Sequence, residues 1–330
     1  MFSALTDATG QIDPKFLISY WLPALVATMG GVAVAALLVG PDLFDFWASN
    51  LDSVEQILIG VVLLGVTSVL SLCLKAIRRL TFMLFAGDIL PHPAAGWATR
   101  RLRRAKAHAE QVLLAADETT TDFSIRQKRR TLERGFPQGS ERVRPTRFGN
   151  VLANLEEHPE FVHGMDHWLW WPRLAPLLPD AMSEVVASEM ANTTGLLNLS
   201  LVLAAIALVG AVVLGVVGEL WTTAIAVLGG GLLLSWVSYR TAVTEGAEAG
   251  RNFHAAYDLY RHEILKQMEL EPPSDREAER ALWKGLSTEL LERSAPVGSD
   301  SPASNARTKT AKTGATRRQP SASRTTGTAR

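Results

Sequence analysis

Three histidines, His158, His163 and His167, fall within ten residues, with Glu160 and Asp166 among them. Imidazole nitrogens and carboxylate oxygens are the donors that zinc and related ions take. His163 and His167 are four apart, the spacing that puts two side chains on one helix face. Gly164 and the nearby prolines work against a regular helix there, and the chain has no HExxH pattern. These histidines are therefore read as solvated or interface residues, and no metal or other cofactor is assigned. His254 and His262 are read as surface or packing residues with no acid at a matching position. Other chemistry fails on context. There is no GxSxG, no P-loop and no GxGxxG after a strand. Gly229-Gly230-Gly231 lies inside an apolar run, where it cannot cradle phosphate. No catalytic residue is assigned, and the chain is read as non-enzymatic.

The residues best suited to contacts are aromatic and basic. Trp168, Trp170 and Trp171 stand beside Arg173 in the stretch Arg144 to Pro179. Tyr257, Tyr260 and Arg261 form a second group. Indole rings suit either a membrane interface or a small core. These seven residues are the candidate contacts for a cytoplasmic protein partner. Packing within one module explains both stretches as well, and is preferred over direct contact. Arg100, Arg101, Arg103, Arg104 and Lys106 make a dense cationic patch beside Trp97. Each such charge near an anionic leaflet contributes about 1 kcal/mol, so anionic lipid headgroups are expected here. Ordinary positive-inside bias accounts for part of the patch. Beyond Ser294 the chain carries Arg307, Lys309, Lys312, Arg317, Arg318, Arg324 and Arg330 against Asp300, and no aromatic residue. Base stacking has no platform there, so nucleic acid is not an expected partner.

The elements that position these residues follow from where the apolar residues sit. The chain has 330 residues, is 47% hydrophobic and has zero formal net charge. The apolar residues concentrate in four blocks: Phe16 to Val39, Ile57 to Leu74, Leu196 to Val217 and Trp221 to Tyr239. Each is close to the roughly 20 residues that cross a hydrocarbon core. No ionisable group lies in their interiors, which argues against a secondary transporter. The link from Gly40 to Gln56 carries Asp42, Asp45, Asp52 and Glu55 and no base. Lys75, Arg78 and Arg79 follow the second block, and Arg240 follows the fourth. Bases flanking a span stay in the cytoplasm. The expected fold class is therefore an all-α membrane protein: four transmembrane helices as two hairpins, with a helical cytoplasmic module and a disordered basic tail. Residues 1–15 are a short cytoplasmic N-terminus and 16–77 the first hairpin. Residues 78–195 are the module and 196–239 the second hairpin. Residues 240–293 are juxtamembrane helices and 294–330 the tail, too polar to bury a core. Both termini are cytoplasmic, at the plasma membrane.

Finer expectations follow. Residues 94–116 and 119–134 read as helices, with N-cap oxygens in Thr119 to Asp122. A short helix, Val151 to Glu157, ends before Pro159. Asp180 caps a helix that runs straight into the third block. The helix after the fourth block continues to about residue 270, with Ala249, Phe253, Ala256, Tyr257, Tyr260, Ile264 and Met268 on one stripe. Ser274 caps a last helix. The small residues Ala27, Gly31 and Ala35, then Ala211 and Gly215, then Ala226 and Gly229 to Gly231, allow close packing or self-association. Cys73 is the sole cysteine, which excludes an intrachain disulfide. No cleavable signal is evident, and the first block reads as a retained anchor.

From Pro145 to Ser287 the chain carries PTRFGN (Pro145–Asn150), WPRLAPLLP (Trp171–Pro179), NLS (Asn198–Ser200), YDLYRHEIL (Tyr257–Leu265) and LW (Leu282–Trp283). In this order the set resembles uncharacterised bacterial multi-pass membrane proteins. The resemblance covers less than half the chain. It implies the same layout of hairpin, module and juxtamembrane helix, and no particular activity. The expected function is a membrane-anchored scaffold or accessory protein. An oligomeric pore is the alternative, and a metal-dependent membrane enzyme the third reading.

Overall fold

The computed structural model describes residues 13–40, 52–115 and 123–294. Residues 1–12, most of the acidic link, the Thr119 to Asp122 cap and the basic tail lie outside the described residues. The chain divides into two compact units, one ending at Trp283 and one beginning at Lys284. The contacts below all belong to the first.

The described residues are helical, with no strand among them. Helix α1 spans Pro14–Val39, with a π-helical turn at Leu17–Trp21. Helix α2 is Ser53–Ala76, opened by a capping box in which Asp52 and Glu55 satisfy each other's backbone N–H groups. Then come α3 (Arg78–Ala86), α4 (His92–Ala115), α5 (Phe123–Gly135), α6 (Arg147–His163) and α7 (His167–Leu174). Helix α8 spans Asp180–Val217, α9 Trp221–Gln267 and α10 Arg276–Ser294. Four of them, α1, α2, α8 and α9, are long and apolar enough to cross a membrane.

The apolar helices pack through small residues and hydroxyls. Tyr20 and Ala24 of α1, Leu74 of α2 and Val202 of α8 share one buried cluster. The Thr67 hydroxyl donates to Thr28 at 3.0 Å, joining α2 to α1. Asn198 donates to the Ser19 carbonyl at 2.8 Å, and the Ser19 hydroxyl to the Ala191 carbonyl at 3.0 Å, joining α1 to α8. Between α8 and α9, Ser238 bonds to Leu196, and Ser200 pairs with Ser235. Gly231 packs on Ala207, and Gly215 on Trp221 and Ala224. The contacts descend along α9 as they ascend along α8.

The expected small-residue faces are partly displaced. Gly30, not Gly31, meets Ile206, while Gly31, Gly229 and Gly230 have open space where a Cβ would stand. The outward face of α2 is apolar, with Ile57, Leu58, Val61, Val62 and Val69 exposed. Cys73 is exposed on the same helix.

The polar elements gather where α8 and α9 change character. PTRFGN folds as one knot at the start of α6. Thr146 caps the helix, accepting from Gly149 N at 2.9 Å, and its hydroxyl donates to the Phe85 carbonyl at 2.6 Å. Asn150 accepts from Arg144 N at 2.8 Å and donates to the Thr146 carbonyl at 2.7 Å. Phe148 is buried with Leu197 and Ala242, edge-on to Phe82. A Cβ on Gly149 would lie 2.3 Å from the Ala86 carbonyl oxygen, so glycine is what lets α6 meet the end of α3.

Several boundaries differ from the sequence reading. Helix α6 runs through Pro159 to His163 and ends at Gly164, whose φ of 79° is the left-handed C-cap. Proline costs one helical hydrogen bond, but buried neighbours on both sides, Leu155 and His163, hold the helix together. Asp180 is the first helical residue rather than the cap, a role taken by Pro179. Asp275, not Ser274, accepts from Ala278 N at 2.8 Å to start the last helix. Helix α9 stops at Gln267, before the Pro272-Pro273 break. The apolar stripe on α9 is buried at Ala249, Phe253, Ala256, Tyr257 and Ile264, but Met268 lies past the helix end and is exposed.

Candidate functional site

Helices α6 and α9 bring three histidines together. Two lie on α6, His158 beside the internal proline and His163 in the last turn. His254 and Asp258 lie four apart on α9, hence on one face. His163 Nε2 is 2.7 Å from Asp258 Oδ1. His158 Nε2 is 3.6 Å from the same oxygen. The ring of His158 stacks on His254 with centroids 3.8 Å apart. The Nε2 atoms of His158 and His254 are buried without a hydrogen-bond partner.

Burial lowers the pKa of His158 and of His163, against the pull of Asp258. The His254 pKa falls to about 3, chiefly through burial and then through His158. Burial acts to raise Asp258, but the His163 hydrogen bond and the neighbouring rings outweigh it, and its pKa is lowered. At neutral pH the pocket therefore holds neutral imidazoles and an ionised carboxylate. A second ion pair closes one side. Arg261 Nε meets Glu279 Oε1 at 2.6 Å, and His262 Nε2 meets the same oxygen at 3.0 Å. Burial works against the Glu279 anion, yet the Arg261 and His262 hydrogen bonds bring its pKa down to about 2.

His167 goes elsewhere. Gly164 turns the chain, and Asp166 caps α7 by accepting from Leu169 N at 3.0 Å. His167 then faces Trp171, Phe253 and Tyr257, with Tyr257 Oη 3.2 Å from its Nδ1. Burial takes its pKa to about 4 and raises that of the Tyr257 phenol. His163 and His167 thus share no face.

The seven candidate contact residues divide. Trp170 is fully buried and meets Trp283 edge-on at 4.9 Å, with the Arg173 guanidinium over its ring at 5.8 Å. Trp171 packs on Phe253 at 4.3 Å. Tyr257 is buried, Tyr260 half-buried, and Arg261 is engaged by Glu279. Arg173 is exposed, and Trp168 is 72% exposed.

The basic patch also divides. Arg100, Arg101 and Arg104 line one open pocket with Trp97. Arg103 donates to the Glu141 carbonyl at 3.0 Å. Lys106 is only 4% exposed and donates to the Gln138 carbonyl at 2.6 Å, so it is a packing residue.

Two groups were not anticipated. Asp258 and Glu279 are the acids that engage the histidines. The signal for Asp258 was present, since it stands four residues from both His254 and His262. Glu279 comes from another helix, and no local spacing points to it. A cavity of about 690 Å³ is lined by Tyr20, Arg78, Arg79, Phe82 and Trp168. A basic cleft of about 580 Å³ between α5, α6 and α9 is lined by Arg126, Arg130, Arg134, Arg147 and Arg240. Its Arg134 is paired with Glu248 at 2.8 Å. No family model, curated protein or solved structure matches the chain.

Proposed function

We propose that this chain is a four-span plasma-membrane protein, arranged as two hairpins with both termini inside, that acts as a non-catalytic scaffold. It presents a cytoplasmic helical module to a protein partner. One observation carries the reading: α8 and α9 pass without a break from apolar halves into polar halves that build the module. A module continuous with two spanning helices is held at fixed height and orientation over the membrane. Lys75, Arg78, Arg79 and Arg240 at the apolar ends favour the cytoplasmic side. Trp170, Trp171 and Tyr257 serve as packing within the module. Trp168 is the exposed exception and is the contact to test. Its cavity, with Tyr20 of α1 and with Arg78 and Arg79 at the start of α3, suits an anionic lipid headgroup.

The test is purification from the native membrane in mild detergent, followed by native mass measurement. A second protein in fixed ratio, lost in a folded Trp168→Ala variant, supports the scaffold. Retained anionic lipid should fall in an Arg78→Gln/Arg79→Gln variant. A closed ring of this chain alone contradicts the scaffold and favours an oligomeric pore. The open positions at Gly229 and Gly230 give that second reading its surface for self-association.

A further inference from the structure

We propose that His158, His163 and Asp258 bind one divalent transition-metal ion of the zinc class, tying α6 to α9. The three donor atoms, two imidazole nitrogens and one carboxylate oxygen, lie within 4.8 Å of one another. A tetrahedral zinc ion with bonds of about 2.0–2.1 Å holds its ligand atoms about 3.3 Å apart. The two histidine-to-aspartate distances, 2.7 Å and 3.6 Å, bracket that value. Small side-chain rotations bring all three donors to a common centre.

Binding takes imidazole nitrogen and carboxylate oxygen as donors, the types these three side chains supply. His158 Nε2 gives an independent sign. It is buried and makes no hydrogen bond, a costly state that a metal bond removes. Its ring is held by the His254 stack, so its direction is set before any ion arrives. The Arg261 charge nearby is matched by Glu279 and does not repel a cation strongly.

Two imidazoles with one carboxylate favour Zn²⁺, Co²⁺ or Ni²⁺ over Mg²⁺ or Ca²⁺, which take oxygen. The Asp258 side chain is 49% exposed, so the ion has a path from solvent and a fourth position open to water. The ligands come from two helices, 95 residues apart in sequence. An ion held there favours the folded module, because the unfolded chain has no such site.

The test uses the full chain in detergent, purified without a polyhistidine tag, stripped with chelator and given one equivalent of Zn²⁺ or Co²⁺. We expect one ion per chain and a melting temperature raised by several degrees. Co²⁺ should give the visible absorption of a tetrahedral nitrogen–oxygen site, displaced by Zn²⁺. His158→Gln, His163→Gln and Asp258→Asn should each weaken binding by about tenfold or more, while His262→Gln should leave it intact. Circular dichroism identifies any variant that has lost its fold, and the cobalt spectrum of the unaltered chain needs no variant. The proposal is overturned if that chain gives no cobalt band or melting shift. Unchanged binding in the three folded variants, or a thiolate band from Cys73, also overturns it.

Discussion

Single residues in this module carry specific tasks, and burial sets them. His167 is a clear case. Its folded pKa is about 4 against an ordinary 6.5, because it is enclosed by Trp171, Phe253 and Tyr257. The unfolded chain therefore binds a proton more readily between pH 6.5 and 4, and stability rises with pH across that window. At about 1.4 kcal/mol per pKa unit, His167 alone destabilises the fold by about 3 kcal/mol at pH 4 relative to neutral pH. The melting temperature should fall from pH 6.5 to pH 4, and His167→Gln should flatten that slope. An unchanged slope would contradict the burial argument. The histidine cluster was visible in the sequence, but its membership was not. The spacing suggested His163 with His167, and Gly164 separates them. Asp258 replaces His167, and only the packing of α6 on α9 makes that exchange. The basic run shows the same limit. Residues 100–106 look uniform as a string, yet the turn of α4 points Lys106 inward to the Gln138 carbonyl.

At the scale of elements, PTRFGN is where α3, α6 and α9 meet. Gly149→Ala should destabilise the module by about 1–3 kcal/mol, since the new methyl meets a backbone oxygen that cannot move alone. Gly250→Ala, where no atom of another element lies within 4 Å of the added carbon, should be neutral or slightly stabilising. Denaturant unfolding of the two variants checks this, and equal stability would contradict it. The long helices were legible because apolar length and flanking charge are local signals. The continuity of α8 and of α9 was legible too, since no proline interrupts either. The end of α6 was not: proline normally stops a helix, and here tertiary packing overrides it. The small-residue rows were found, but helix rotation decides which members touch. A shift of one residue, from Gly31 to Gly30, turns the contact by about 100°.

For the whole molecule, two unbroken helices join an apolar half to a polar half. The proposed scaffold role requires the polar half to lie in the cytoplasm, and partner and lipid contacts depend on that. Thiol accessibility in intact cells tests it most directly. Cys73 is replaced by Ala, and single cysteines are introduced as Asp45→Cys in the acidic link and Arg251→Cys on the exposed face of α9. A membrane-impermeant thiol reagent is applied before and after permeabilisation. The account predicts that Asp45→Cys is labelled in intact cells and Arg251→Cys only after permeabilisation. Labelling of Arg251→Cys in intact cells, with Asp45→Cys protected, would contradict it.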